Sequence, residues 1–171
     1  MCPLLWVHYI LLCPSVTIER ELRKKFVLLA SRADLKEYIP SWCVIKNPRI
    51  IDANVTIKSG DICIETIHAV YENTGASIND SFKHGGRDTL VYNDEIHHAY
   101  NVSSDKDIKK WKQFLLGKNN FKYIIGTTGT AYIENDYFTD VIYRYSLRKA
   151  IDDGVVKMVE YVAKDEGLDR N

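Results

Sequence analysis

Apolar positions along this chain fall in short runs, separated by polar stretches that punctuate them. Val7-His8-Tyr9-Ile10-Leu11-Leu12-Cys13 is mostly apolar and reads as a buried strand, stopped by Pro14-Ser15. The period then changes. Ile18, Leu22, Phe26 and Leu29 recur at helical spacing, after Ser15 or Thr17 as cap and with Glu19 and Glu21 near the positive end. Arg20, Arg23, Lys24 and Lys25 read as the solvated side of that helix. Residues 31–54 are irregular, with Cys43-Val44-Ile45 as a short strand. Ser59 to Thr66 is a turn and a strand, and Ile67 to Tyr71 starts a helix. Residues 73–87 are polar, contain Gly75, Gly85 and Gly86, and read as a surface connection.

Leu90-Val91-Tyr92 is the next strand. Ser103-Ser104-Asp105 then caps a helix carrying Ile108, Trp111 and Leu115, which ends at Gly117. Phe121 to Gly126 is another strand, and Tyr137 to Tyr145 continues apolar and aromatic. Ser146 to Asp153 forms a short helix stopped by Gly154, and Val155 to Val162 a last strand. Strands alternating with helices predict a parallel α/β sheet.

Composition narrows the classes. The chain has 171 residues, enough for one domain with a real core. Acidic and basic residues balance at 23 each, so no global field draws the protein to nucleic acid or membrane. Cys2, Cys13, Cys43 and Cys63 form no C-x-x-C pair, which argues against a zinc site or redox dithiol and fits a reducing, cytoplasmic setting. The apolar run from Cys2 to Cys13 is too short to span a bilayer and lacks the basic flank of a signal peptide.

Chemistry concentrates at the end of one strand. Asp94, Glu95, His97 and His98 put two carboxylates and two imidazoles within five residues. The C-terminal end of a buried parallel strand is where an open α/β sheet places its ligand. A carboxylate there can hold Mg²⁺ through water, and its neighbour can deprotonate a water for attack on a phosphate. Thr128-Gly129-Thr130, at the next strand end, supply small hydroxyls and a permissive backbone for a relay. A second reading is a metal-dependent hydrolase ligated by Asp94, Glu95, His97 and His98, with His68 and Asp61 as further ligands. A third is a non-catalytic nucleic-acid-binding remnant.

Asp94-Glu95-Ile96-His97 resembles the DExH Walker B element of superfamily 2 helicases and translocases, and Thr128-Gly129-Thr130 resembles their motif III. Leu12-Cys13-Pro14-Ser15 looks like motif Ia, and residues 62–68 look like motif Ib. Residues 138–147 and 150–157 resemble the type III restriction enzyme Res-subunit branch. The resemblance implies an incomplete RecA-like parallel sheet over residues 1–150, with 151–171 leading toward a second RecA-like domain. It implies that Asp94 holds Mg²⁺, that Glu95 activates water, and that ATP is the substrate. His97, with Thr128, Gly129 and Thr130, would couple nucleotide state to movement. Ser15 and Thr66 would touch the backbone of DNA, with RNA as the alternative track; the plain alternatives are a helix cap and a strand-end hydroxyl. A methyltransferase/specificity subunit is an implied partner, and a membrane is not. Ala131 stands where the family often has proline. No G-x-x-x-x-G-K-[ST] loop occurs, so the resemblance leads to the expectation of a fragment lacking its P-loop segment, its second motor domain and the arginine finger.

Overall fold

The computed structural model describes residues 8–41, 47–71, 81–82, 86–100, 106–117, 119–133, 136–137 and 140–158. Among them, the expected parallel sheet is present. Strands β1 (His8–Cys13), β2 (Arg49–Ile51), β3 (Asp61–Thr66), β4 (Thr89–Asp94) and β5 (Tyr123–Thr127) form five parallel strands in the order β2-β3-β1-β4-β5. The middle strand is β1, so β4 lies one place in from the edge. From β1 the chain moves toward β2, and from β4 it moves the other way to β5. The C-terminal ends of β1 and β4 therefore flank a topological switch point, the place where such sheets bind ligands.

Helices α1 (Val16–Ser31), α2 (Ala33–Lys36), α3 (Ile67–Tyr71), α4 (His97–Tyr100) and α5 (Lys106–Leu116) connect these strands. The core is built on β1, where Ile10, Leu12 and Cys13 are buried, with Cys63 and Ile64 of β3 and Val91 of β4. Trp111, Phe114 and Leu115 bring α5 onto it. Helix α1 behaves differently from its expected apolar stripe. None of its residues is buried; of the stripe, Ile18 and Leu29 are exposed, and only Leu22 and Phe26 are half-buried. The Arg23 guanidinium supplements that thin contact by donating to Ile64 O and to Glu19.

Three elements depart from the sequence pattern. Strand β2 falls in a stretch expected to be irregular. Residues Cys43–Ile45, expected as the strand there, lie outside the described residues. The final strand is absent as far as Met158, and residues 159–162 lie outside the described part. A two-stranded antiparallel ladder, β6 (Tyr132–Ile133) with β7 (Asp136–Tyr137), follows β5. The chain divides into two compact units, Met1–Tyr137 and Phe138–Asn171. In the second, helix α6 (Leu147–Asp152) starts at Ser146, whose hydroxyl accepts from Lys149 N, and Tyr145 donates to Asp153. No helix among the described residues is long and apolar enough to cross a membrane.

Edge strand β2 is clamped by charge. Arg49 donates through Nε and Nη2 to the two oxygens of Asp61, at 3.0 and 2.6 Å, and Lys58 N donates to the same carboxylate at 2.9 Å. The guanidinium holds the Asp61 carboxyl below its ordinary 3.8. A depressed carboxyl stabilises the fold above its unfolded value, and that contribution is lost as the pH falls through its folded value. Asp61→Ala is expected to cost about 1–3 kcal/mol, since it also strips the Lys58 amide of its acceptor. Thermal unfolding of the variant should lose part of its acid dependence below pH 4; an unchanged acid limb would show that the clamp contributes nothing.

Candidate functional site

The site is set by register. In the parallel ladder of β4 and β5, Asp94 pairs with Thr127. The Thr127 hydroxyl donates to Asp94 Oδ1 at 2.8 Å, and Glu95 N donates to the same oxygen at 3.1 Å. Both of these bonds fall on Oδ1.

After Asp94 the chain turns back over β5. Glu95 adopts the left-handed region, with φ 52°, at a cost on the order of 1–2 kcal/mol for a non-glycine residue. Ile96 N then donates to Thr127 O at 3.0 Å, which locks the turn onto the neighbouring strand. Ile96 is buried directly over Gly126. A Cβ at 126 would lie 2.6 Å from the Ile96 Cβ and Cγ2, so the approach needs glycine. His98 N and Ala99 N donate to Glu95 O and Ile96 O, and α4 begins.

His97 closes the network. Its Nδ1 lies 2.7 Å from Thr128 Oγ1 and 3.2 Å from Glu95 Oε2. The Thr128 oxygen accepts from Thr130 N at 3.0 Å and stands 3.2 Å from Thr130 O. The Thr128 hydroxyl also stands 3.5 Å from Glu95 Oε2. The Glu95 carboxylate can only accept, so the Nδ1–H tautomer is the one that satisfies both contacts of the ring nitrogen, and the single Thr128 hydrogen is shared between Thr130 O and Glu95 Oε2 as acceptors. Nε2 is then the acceptor face of the ring.

Of the remaining candidates, all but Asp61 share the same end of the sheet, and Ser15, Thr66 and His68 stand outside the network. Ser15, just past β1, accepts from Ile18 N at 3.3 Å and caps α1. Thr66 ends β3, is 5% exposed, and its hydroxyl accepts from Ala69 N at 3.4 Å. Gly129 stands in open space, without left-handed backbone, so neither crowding nor conformation demands glycine there. His68 lies in α3, and Asp61 opens β3 and so stands at the opposite end of the parallel sheet from Asp94. That removes Asp61 from the metal-hydrolase ligand set, and among the described residues no three His, Cys, Asp or Glu groups come together as a metal cage. The Cys13 thiol donates to Glu65 O, and burial pushes its pKa up to about 12, which makes it a packing group rather than a nucleophile.

Thr127, Gly126 and Trp111 carry no site role in the sequence reading, and His98 enters it only as a metal ligand. Thr127 and Gly126 had a usable signal, since they immediately precede the threonine–glycine motif. The His98 ring lies against His97, with centroids 4.1 Å apart, and burial lowers its pKa, helped by the neighbouring His97.

Comparison with protein-family models, with curated proteins and with solved structures finds no match. The function therefore rests on the chemistry of the site.

Proposed function

We propose that this chain carries the magnesium-holding and water-activating side of a RecA-like ATPase site, in a nucleic-acid motor of superfamily 2 type. The single observation that carries the reading is the double linkage of two adjacent strand ends: Thr127 to Asp94, and Thr128 through His97 to Glu95. One carboxylate is fixed and would keep an oxygen for a cation; the next projects from a strained turn and is wired to an imidazole. This division suits phosphoryl transfer, in which positioning and charge neutralisation supply most of the catalysis.

The donor set fits magnesium. This cation retains much of its water and is usually held by one or two carboxylates, whereas a transition-metal site would need several converging nitrogen or sulfur ligands. When bound, Mg²⁺ neutralises charge on the phosphates. Asp94 would orient its hydration shell, and Glu95 would take a proton from the attacking water. His97, donating from Nδ1 to Thr128, would transmit a change at Glu95 to the β5 end. The 171 residues contain no P-loop sequence, so the proposal assigns this chain no phosphate cradle. DNA or RNA as the track, and coupling to strand separation or translocation, belong to the same proposal.

The test is a two-dimensional amide NMR titration of the chain with Mg²⁺, then with Mg²⁺ and ATP. Shifts are expected at Asp94, Glu95, Thr127 and Thr128 at millimolar Mg²⁺, and Asp94→Asn should abolish them. Shifts confined to another region, or tight Zn²⁺ binding at Glu95, His97 and His98, would sink the proposal.

A further inference from the structure

We propose that His98 is a positioning residue. Packed between the His97 ring and the Trp111 indole, it holds His97 Nδ1 on Thr128 and Glu95, and so ties the strand-end network to helix α5. The His98 ring lies 4.1 Å from the His97 ring, centroid to centroid, and 5.7 Å from Trp111, with planes inclined by 39° and 33°. Separations of this size belong to interacting rings.

The far side of the stack is rigid. Trp111 is 6% exposed, and its Nε1 donates to Asn93 Oδ1 at 3.1 Å. Asn93 is itself fully buried on β4, immediately before Asp94, and its Nδ2 donates to Asp94 O at 3.1 Å. A buried amide must find partners, so this bond fixes the depth of the indole beneath α4. The contacts close a ring: Asp94, Asn93, Trp111, His98, His97, Thr128, and back through the Thr127 hydroxyl to Asp94. Within that ring the His98 side chain meets His97 and Trp111 through its imidazole ring. Its flat shape is therefore what transmits the Trp111 position to His97. A side chain of another shape would leave the His97 ring free to turn about its χ2 angle and exchange Thr128 for water.

The pattern also explains why two histidines stand together when only one enters the hydrogen-bonded network. His97 supplies Nδ1 to the network, and His98 supplies a flat wall behind it. The proposal deepens the ATPase reading by naming what orients its coupling residue. Its test uses neither nucleotide nor magnesium, so the two can fail separately.

The experiment is long-range ¹H–¹⁵N correlation NMR of the imidazoles in the whole chain, above pH 7. In the parent, His97 is expected as the Nδ1–H tautomer, the minor form of a free imidazole. His98→Phe should keep that signature, because a flat ring still fills the slot. His98→Leu, of similar bulk but not flat, and His98→Ala should shift His97 toward the free-imidazole mixture while the amide spectrum elsewhere stays folded. A parent His97 in the Nε2–H form would overturn the proposal without any variant. So would an unchanged His97 signature in folded His98→Leu or His98→Ala. If His98→Ala does not fold, the comparison of His98→Phe with His98→Leu decides.

Discussion

Glu95→Gln is expected to lower ATP turnover by about 10²–10⁴-fold, the usual contribution of a positioned general base, in any preparation of this protein that hydrolyses ATP. Nucleotide should remain bound. The amide keeps the shape of the carboxylate but cannot accept the proton of the attacking water. The position is well suited to a large effect, because the backbone there is held in a left-handed conformation that only the surrounding contacts sustain. Gln can still accept from His97 through its carbonyl oxygen, so the His97–Thr128 link should persist. Single-turnover phosphate release, measured with retention of labelled nucleotide, separates the two effects. Hydrolysis at the parent rate would remove Glu95 from the base role and leave the strained turn with a purely structural account.

Asp94 should respond differently. Its Oδ1 is committed to Thr127 and to the Glu95 amide, so it serves the turn as well as the proposed cation role. Replacing Asp94 therefore disturbs placement and charge together, and a loss of activity there assigns no single role. Glu95 is the more informative position because its chemistry can be removed with its volume kept.

Local pattern and long-range register divide what the sequence could tell. Strands β1, β3 and β4 were legible because each is an apolar run with a clear stop, and α1 because Ser15 precedes a helical period. Strand β2 was not. Arg49-Ile50-Ile51 is too short to show a period, and it becomes a strand through the Arg49–Asp61 pair and its ladder with β3. The same pair explains why Asp61 was misread as a possible ligand: its partner and its end of the sheet are tertiary facts. Val155 and Val156 have the composition of a strand, yet their amides donate to Ala150 O and continue the end of α6. β-Propensity acts through packing against neighbouring strands, and none pairs with them among the described residues. Within the site, Asp94, Glu95, His97 and Thr128 announced themselves by residue type and position. Thr127 stood beside the threonine–glycine motif, but its partner is set by strand register, and Trp111 could not announce itself, because it acts through a helix packed beneath the turn.

Gly126→Ala is expected to destabilise the fold by roughly 1–3 kcal/mol, despite a substitution that usually helps a strand. Two terms compete. Alanine in place of a strand glycine recovers about 0.5–1 kcal/mol of backbone entropy. Against it, the new methyl would lie 2.6 Å from the Cβ and Cγ2 of Ile96 and 2.8 Å from its Cγ1. The Ile96 Cβ is tied to the backbone and cannot rotate away, so the 94–97 turn itself must lift. Lifting it weakens the Ile96 N to Thr127 O bond and moves His97 away from Thr128. The steric term should win, lowering the melting temperature by about 2–12 °C for a domain of this size. The cause is separable by a double-mutant cycle. Ile96→Ala alone should cost about 2–5 kcal/mol as a buried truncation, but Gly126→Ala on the Ile96→Ala background should cost far less than on the parent. Additive losses would mean that Gly126 is needed for some reason other than the passage of the Asp94–His97 turn across it.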